Sequence, residues 1–394
     1  MNTRFLLCFL LLCGLFCPAR AQEAEKIRVK GRVLDEQTNE PMAFVNIGLL
    51  GTTLGVASDM DGYFELAVAE RYADYTLRLS AVGYASHSVK FRELQEKPGT
   101  VIRLKPVTYM LGEVEVTGSV DVIKRLLEQV VKEIPRNYIP RPYNYEGYFA
   151  HEVSVNGEAR EKKEAIVLLH DKRGYARGDV AQAFADVNYT FTQVRRGKPL
   201  SSVAEGMIYF DDIVTADVVR HSRNVLDLVN YRDYSFKDKG KTLHDGDTVQ
   251  VIAYECPRPT LSTTGDASAL SYSGEIYIKL RDLAVIKHVA RVTSGYFNPL
   301  GRNILPPPGA RQERCTTTIT TNYKKVSSYF FLGGISMVYS RESSGERVEG
   351  KMQYHTTGVR VDDLLPVDGR LYYEQMDTDY RFWDRYTLSL EEEE

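Results

Sequence analysis

The chain has 394 residues, of which 43% are hydrophobic and 26% are charged, and its formal net charge is −3. This length predicts two domains plus a targeting segment, and the apolar share is sufficient for substantial cores. A nearly neutral chain without clustered Lys or Arg argues against nucleic-acid binding, which requires a concentrated basic surface. The 26 Tyr and 15 Phe favour β-strands over helices.

The first 21 residues have the pattern of a secretory signal peptide. Arg4 is its positive charge, Phe5–Phe16 is apolar but short for a bilayer span, and Ala19-Arg20-Ala21 has the small residues of a cleavage site. We therefore expect cleavage after Ala21, which removes two arginines and leaves a net charge of −5. A retained N-terminal anchor is the alternative. A lipoprotein signal would need a small residue before the modified cysteine, but bulky residues precede the early cysteines: Leu7, Leu12 and Phe16.

No later apolar run reaches the ~18 residues of a membrane-spanning helix. The sequence therefore predicts a protein secreted to the periplasm and associated with the outer membrane, with no transmembrane segment after signal cleavage. Two cysteines remain in the mature chain, Cys256 and Cys315. Cys256 ends one predicted strand and Cys315 begins the third strand after it, about 14 Å away at the usual strand spacing. We expect no disulfide between them.

Residues 27–105 alternate between apolar and polar side chains in short runs. The apolar series begins with Ile27, Val29 and Val33, and turn signals such as Asp59–Gly62 and Pro98-Gly99 interrupt it about every ten residues. This spacing predicts a β-sandwich. The later runs of the series are Ala43–Leu49, Phe64–Val68, Tyr75–Leu79, Val89–Phe91 and Ile102–Leu104.

Four segments stand in a fixed order within this region: Gly31–Asp35, Pro41–Ile47, Ser58–Leu66 and Ser80–Tyr84. Their order and spacing resemble the carboxypeptidase regulatory-like domain, which is a transthyretin-like β-sandwich. The resemblance implies an accessory module, found after the catalytic domain of metallocarboxypeptidases and at the N-terminus of many outer-membrane proteins of Gram-negative bacteria.

The linker predicted at 106–118 contains Leu111–Gly118, which looks like the segment before the plug of a TonB-dependent receptor. Only 276 residues follow Gly118, and they do not have the pattern of a plug and a large barrel. A helix predicted at 119–134 comes next. Its apolar residues, Val122 to Ile134, recur at helical spacing, and Pro135 is expected to end it. We expect this helix to lie on a sheet containing Ile276, Ile278, Leu280 and Ile286, with Leu126 and Leu127 in the core and Gly118 as a hinge.

The second domain, predicted at 119–390, has the alternation of an antiparallel sheet. The overall fold class is therefore mainly β: an N-terminal Ig/transthyretin-like β-sandwich followed by an antiparallel, curved β-sheet domain with one main amphipathic helix. Val214–Leu228 is assigned a short helix, Phe297–Ala310 a long loop and Gly333-Gly334 a bulge. The predicted strands are Asn144–Asn156, Lys163–Arg173, Ala181–Thr192, Met207–Phe210, Thr248–Cys256, Gly274–Leu280, Ala284–Thr293, Gln312–Lys325, Tyr329–Ser340 and Val348–Val359.

Three short motifs in this second region are Ile134–Tyr138, Gly274–Ile278 and Phe382–Tyr386. They resemble a family of unknown function, whose members are secreted or outer-membrane-associated bacterial proteins carrying the same regulatory-like domain. The hairpin at Gly274 also looks like strands of the LolA/LolB half-barrel, which carries lipoproteins. That likeness implies a lipid or lipoprotein ligand.

No catalytic, cofactor-binding or metal-binding residue is predicted, and no cofactor. None of the seven His has Glu three residues later, so the zinc motif of metallocarboxypeptidases is missing, as are a nucleophile elbow and nucleotide-binding loops. Asp59-x-Asp61-Gly62 lacks the other ligands of a calcium loop and is interpreted as a turn. Asp211-Asp212 and Asp362-Asp363 are interpreted as solvated loop charges.

Two other features have both a structural and a functional interpretation. His288, on a predicted face with Ala284, Ile286, Ala290 and Val292, fits a hydrogen-bonded core residue better than a ligand. The aromatic cluster Tyr372–Trp383 fits packing against the sheet better than a ligand platform.

The sequence favours a non-enzymatic exported envelope protein that is a binding or assembly module at the outer membrane. Two alternatives remain: a periplasmic carrier of lipid or lipoprotein with a half-barrel cavity, and a hydrolase of unrecognised type. The expected partner is an outer-membrane protein, or a lipid or lipoprotein ligand. A cavity behind the helix would favour the carrier. A cluster of His, Asp and Glu in a cleft would favour the hydrolase, and a filled core would favour the binding module.

Overall fold

The computed structural model describes residues 26–52, 54–95, 99–107, 120–177, 186–196, 210–295, 314–343, 345–371, 377–384 and 386. The predicted signal peptide, Gly118, Phe297–Ala310, Tyr372 and Tyr373 lie outside these residues, as does all of the predicted linker except 106 and 107.

The N-terminal region forms two small sheets that face each other, as the sequence predicted. One sheet has the order β4-β1-β7 and the other β3-β2-β5-β6. Between them lies one apolar core that includes Val33, Ile47, Leu66 and Leu79. The strands are β1 (Lys26–Asp35), β2 (Asn46–Leu49), β3 (Gly55–Ala57), β4 (Tyr63–Ala69), β5 (Thr76–Ser80), β6 (His87–Lys90) and β7 (Thr100–Leu104).

Local chemistry accounts for the turns of this sandwich. The carboxylate of Asp59 accepts hydrogen bonds from the backbone N–H of Asp61 at 3.0 Å and of Tyr63 at 2.7 Å. Gly62 follows at φ +79°, a conformation that favours glycine. The segment is therefore a turn that leads into β4. Phe91 was predicted to lie in a strand; instead it begins helix α1 (Phe91–Gln95).

The rest of the described chain is built on one sheet of eleven strands, in the order β11-β12-β13-β14-β15-β16-β17-β8-β9-β10-β18. Neighbours pair antiparallel except β10 and β18, which are parallel. The strands are β8 (Tyr143–Val155), β9 (Glu158–Asp171), β10 (Val187–Arg196), β11 (Ser235–His244), β12 (Asp247–Cys256), β13 (Ala269–Lys279), β14 (Ala284–Ser294), β15 (Cys315–Val326), β16 (Tyr329–Ser343), β17 (Glu346–Arg360) and β18 (Arg370–Leu371).

The meander from β12 to β15 confirms the geometric argument about the cysteines. Cys256 ends β12, Cys315 begins β15, and both are free and buried. The register of β15 with β16 shifts so that Gly333 has no partner, which is the bulge predicted there.

Other sequence predictions were wrong. Phe210 begins helix α3 (Phe210–Ala216) rather than ending a strand, so Asp211 and Asp212 lie in a helix and not in a loop. Leu280 follows the end of β13 and is only partly buried. The pairing of β13 with β14 shifts between Tyr277 and Ile278, so the alternation in β14 is interrupted before His288. The sequence therefore misplaced His288 on one face with Ala284 and Ile286.

Helix α2 (Val120–Asn137) continues through Pro135. Proline in the last turn removes one backbone donor, and Tyr138 N still donates to Ile134 O at 2.9 Å, so the helix does not end at Pro135 as predicted. Leu127 is buried as expected, whereas Leu126 is partly buried and Val122 is 58% exposed. The buried stripe of the helix is therefore narrower than predicted: Ile123, Leu127, Val130 and Ile134.

We call the sheet face that α2 contacts the inner face. The helix lies against β11, β14 and β16, and its stripe belongs to the same apolar core as Ile276 and Ile278. The segment from α3 to Leu226 fills the adjoining part of this core with side chains that are at most 5% exposed: Phe210, Ile213, Val214, Val218, Val219, Val225 and Leu226.

The N-terminal sandwich lies on the opposite face of the large sheet, which we call the outer face. Met60 N donates to Gln353 Oε1 at 3.0 Å, and Lys351 Nζ donates to Asp61 Oδ1 at 3.3 Å. The ring of Phe44 stacks on His355 with centroids 4.7 Å apart. These contacts define a junction between the two units.

Candidate functional site

A cleft of about 540 Å³ opens at this junction, between the sandwich and strands β8, β9, β10 and β17; we call it the junction cleft. Its wall contains five cationic and five acidic side chains together with aromatic rings. The cations are Lys30, Arg32, Lys162, Arg195 and Lys351, the acids are Asp59, Asp61, Glu65, Glu152 and Glu164, and the aromatic residues are Tyr63, Phe64, Tyr148, Trp383 and Tyr386.

Glu164 is the centre of the hydrogen bonding in the cleft. Arg195 donates to both of its carboxylate oxygens, from Nε at 2.7 Å and from Nη2 at 2.6 Å, and Tyr148 donates its hydroxyl at 2.5 Å. Burial by itself would raise the pKa of Glu164, but the bonds from Arg195 and Tyr148, with Lys162 nearby, hold this pKa below its ordinary value. Glu164 is therefore a fixed carboxylate and not a proton donor at neutral pH.

The C-terminal aromatic motif packs beside this carboxylate. Helix α4 (Tyr380–Trp383) brings Trp383 to 5% exposure, and its indole N–H donates to Val194 O at 2.8 Å. The guanidinium of Arg195 lies 4.9 Å from the centre of the Trp383 ring, and Tyr386 stacks on Tyr148 at 6.2 Å. Trp383 thus packs against the sheet, as the sequence favoured, while Tyr380 is 67% exposed.

A second polar cluster lies on the inner face, where it is buried. Arg220 pairs with Asp171, and both side chains are at most 5% exposed. Asp217 accepts a hydrogen bond from the Tyr323 hydroxyl at 2.5 Å, and burial raises the pKa of Asp217 despite that bond. These contacts attach the segment after α3 to β9 and β15. The cluster therefore holds that segment on the inner face and leaves no open site there among the described residues.

The other residues considered from the sequence lie in the core or in surface ion pairs. His288 is 2% exposed, and its Nε2 lies 2.7 Å from the Tyr254 hydroxyl, as expected for a hydrogen-bonded core residue. Asp362 pairs with Arg141 at the surface. Within the described parts of the chain, no three His, Cys, Asp or Glu side chains converge to hold a metal ion.

Sequence reasoning did not find Glu164 or Arg195. They lie 31 positions apart on neighbouring strands, with no motif around either. The one sequence feature that pointed to this site was the Phe382–Tyr386 motif, because the guanidinium of Arg195 lies over the ring of Trp383.

Comparison with known proteins supports the assignment of the sandwich. Residues 29–116 match the family model of the CarboxypepD_reg-like domain, which confirms the resemblance seen in the sequence. Among curated proteins, the chain is similar to the TonB-dependent receptor SusC of Bacteroides thetaiotaomicron, with 34% identity over 123 residues. That match covers 31% of this chain and 11% of the receptor, so the chain spans about a tenth of the curated relative.

Solved structures give weaker likenesses. A LolA superfamily protein from Nitrosomonas europaea is 10% identical, with 61% of this chain and 94% of that chain covered and a TM-score of 0.25. The lipoprotein LppX of Mycobacterium tuberculosis is 11% identical, with coverages of 64% and 100% and a TM-score of 0.19. At these scores the likenesses establish no shared fold.

No helix within the described residues combines the length and apolar character that crossing a bilayer requires.

Proposed function

We propose that this protein is a non-enzymatic exported envelope protein that works as a binding or assembly module at the outer membrane. The observation that carries the proposal is the contrast between the two faces of the large sheet. The inner face is covered by the buried stripe of α2 and by the segment from α3 to Leu226, and the apolar side chains given above for both are at most 5% exposed. The junction cleft on the outer face remains open.

The composition of the junction cleft supports a polar macromolecular partner. Four of its five cations pair with its own acids: Lys30 with Glu65, Lys162 with Glu152, Arg195 with Glu164 and Lys351 with Asp61. The wall is therefore polar but balanced in charge, which suits a polar partner without a high net charge. Tyr63, which is 53% exposed, supplies an aromatic contact of the kind that is enriched at interfaces. The match of residues 29–116 to the CarboxypepD_reg-like domain and the similarity to a TonB-dependent receptor favour a partner in the outer membrane.

The lipid-carrier alternative requires space beside α2. Val130 and Ile134 are at most 1% exposed, so a lipid chain would have to displace the helix or the segment after α3. The hydrolase alternative requires an activated group, and the carboxylate of Glu164 is held by Arg195 and Tyr148.

Site-specific photo-crosslinking in the native envelope tests the proposal. A photoreactive phenylalanine at Tyr63, in the cleft wall, should form one discrete adduct with an outer-membrane protein. The matched control replaces Tyr75, which is 40% exposed on the same sandwich but outside the cleft wall, and should form none. Equal adducts from both positions would contradict a specific partner site.

Native mass spectrometry of the protein purified from its own envelope separates the alternatives. A retained lipid or lipoprotein mass would favour the carrier and overturn the proposal, whereas a stoichiometric protein partner supports it.

A further inference from the structure

A second groove, of about 950 Å³, lies at the other side of the junction; we call it the junction groove. Its floor is the outer face of β14, β15, β16 and β17. Its roof is the outside of the sandwich, where small residues leave the space open: Gly48, Gly55, Ala57 and Ser80. Nothing in the proposed function assigns a role to this groove.

Lys287 stands on the groove floor without an ion pair among the described residues. Its ammonium lies 5.2 Å from the centre of the Tyr277 ring. Glu275 is close enough to favour the charged form, but its carboxylate accepts the Tyr277 hydroxyl at 2.8 Å. Lys287 is partly buried, and this burial lowers its pKa because the ammonium loses part of its hydration and gains no bonded counter-charge.

The other charges of the groove that have a partner in the structure do not neutralise Lys287. Lys279 pairs with Asp247 and Asp282, and Lys325 pairs with Asp282. On the roof, Asp35 accepts from the Tyr84 hydroxyl at 2.6 Å. A further acid of the groove, Asp245, pairs with Arg78 at 3.1 Å.

Uncharged hydrogen-bonding groups surround Lys287 on the floor. Asn322 is its register partner on β15, and Thr320 is the next residue on that face, opposite Ser336 on β16. No side-chain hydrogen bond joins Asn322, Thr320 or Ser336 to another described residue, although Ser336 is only 5% exposed. Cross-strand neighbours on one face lie about 5 Å apart, so these groups share a footprint roughly 10 Å across.

His355 completes the floor beside Gly334. It is 2% exposed, and its Nδ1 has no partner among the described residues. A buried polar atom without a partner is uncommon in a folded protein, and at the wall of a cavity it indicates a bound polar group or ordered water.

We propose that the junction groove binds a phosphate-bearing ligand, with Lys287 as the charge partner and Asn322, Thr320 and Ser336 as hydrogen-bond donors. A phosphate group presents several acceptor oxygens in different directions, which suits donors spread over a floor, whereas a carboxylate presents two in one plane. The remainder of the ligand occupies the space under the small residues of the roof. A soluble phosphorylated compound and a phospholipid headgroup share this chemistry.

Calorimetric titration of the mature chain tests the site, with inorganic phosphate and dihexanoyl phosphatidic acid as probes. Both are compared with acetate at equal ionic strength. We expect phosphate to bind and acetate not to bind measurably. Tighter binding of the phosphatidic acid identifies a lipid headgroup, and equal binding identifies a soluble phosphate compound.

The variant Lys287→Gln should weaken phosphate binding about tenfold or more, because a charge-assisted bond is lost. The matched control Lys325→Gln removes a lysine from the same groove that already pairs with Asp282, and it should bind phosphate as the parent protein does. Unchanged affinity in Lys287→Gln, or equal losses in both variants, would overturn the site.

A footprint on the parent protein covers the case in which Lys287→Gln does not fold. Amine acetylation followed by mass spectrometry should modify Lys287, and phosphate should protect Lys287 but not Lys325. If phosphate does not protect Lys287, the proposal is wrong.

Discussion

At the scale of single residues, the most consequential contact is the ion pair of Asp171 with Arg220. Both side chains are almost fully buried, and Asp171 also accepts from the backbone N–H of Arg173 at 3.0 Å and of Gly174 at 2.8 Å. Gly174 has φ +64°, and a Cβ there would lie 2.3 Å from Ile139 O, so no other residue fits this turn. The carboxylate therefore fixes both a turn and the segment after α3.

Asp171→Ala should lower the free energy of unfolding by about 3–5 kcal/mol, because it leaves the Arg220 charge buried and unpaired. Urea denaturation measures the change. The double variant Asp171→Leu with Arg220→Met removes both charges and should recover much of the loss. A single variant as stable as the parent would show that Arg220 finds water or another partner.

A second residue-scale prediction concerns Glu164, whose pKa is lowered in the folded protein. A carboxylate with a lower pKa when folded stabilises the folded state above the unfolded pKa, and this contribution is lost as the pH falls. The unfolded value is near 4.5, so the loss should occur as the pH falls through and below that value. In Glu164→Gln, the free energy of unfolding should depend less steeply on pH in this range, as measured by urea denaturation at successive pH values.

At the scale of elements, helix α2 shows how one face decides packing. Its buried stripe recurs at positions 123, 127, 130 and 134 and meets strands β11, β14 and β16. Val122 and Leu126 flank this stripe, so Val122 is exposed and Leu126 is only partly buried. A helix on a sheet buries only the side chains that point at it.

Leu127→Ala should cost about 2–5 kcal/mol, because it opens a cavity between the helix and the sheet. Val122→Ala is the matched control and should change stability by less than about 0.5 kcal/mol, since Val122 is 58% exposed. Chemical denaturation compares the two. Equal effects would mean that the helix is not packed through Leu127.

At the scale of the whole molecule, the junction rests on Phe44. This residue has φ +60°, which is unusual for a bulky side chain, and the conformation directs its ring onto Gly334 and His355. A Cβ on Gly334 would lie 2.6 Å from that ring, so the absence of a side chain at 334 is what admits it.

Phe44→Ala should loosen the junction while leaving both cores folded. Amide hydrogen exchange should rise at Met60, whose N–H reaches across the junction, and stay unchanged in the core strands β1 and β13. Tyr75→Ala, elsewhere on the sandwich, is the control. If the Met60 amide exchanges equally fast in Phe44→Ala and Tyr75→Ala, the junction does not depend on the Phe44 ring.

Acid should destabilise the folded protein through His355, which lies at this junction. Burial lowers the pKa of His355 from 6.5 to about 4, so the folded state holds the neutral imidazole. Because the unfolded state takes up the proton first, stability falls as the pH drops from about 6.5 towards 4. His355→Gln should make the free energy of unfolding less dependent on pH over this window, which denaturation at successive pH values would show. An unchanged pH dependence would contradict the assignment.

Much of the local architecture was predictable because the period of a strand or helix appears as a repeating pattern of apolar and polar residues that are close in sequence. Alternation identified the sandwich and most strands of the large sheet, and the order of β12 to β15 separated Cys256 from Cys315. Strand β11 was missed because it is an edge strand with polar residues on both faces, including Lys237, Lys239 and Lys241, and only its pairing with β12 makes it a strand. The start of helix α3 was missed because Phe210 is compatible with both a strand and a helix.

By itself, the sequence determined the class of fold, the sandwich and its family, the main helix and the separation of the two cysteines. These depend on residues close together in the chain. The tertiary structure alone decided that the inner face is filled, that the sandwich lies on the outer face, that Glu164 bonds to Arg195, and that Lys287 lies opposite Asn322. These pairs join residues far apart in sequence. Strand register and the docking of one sheet on another bring them together, and no local pattern predicts either.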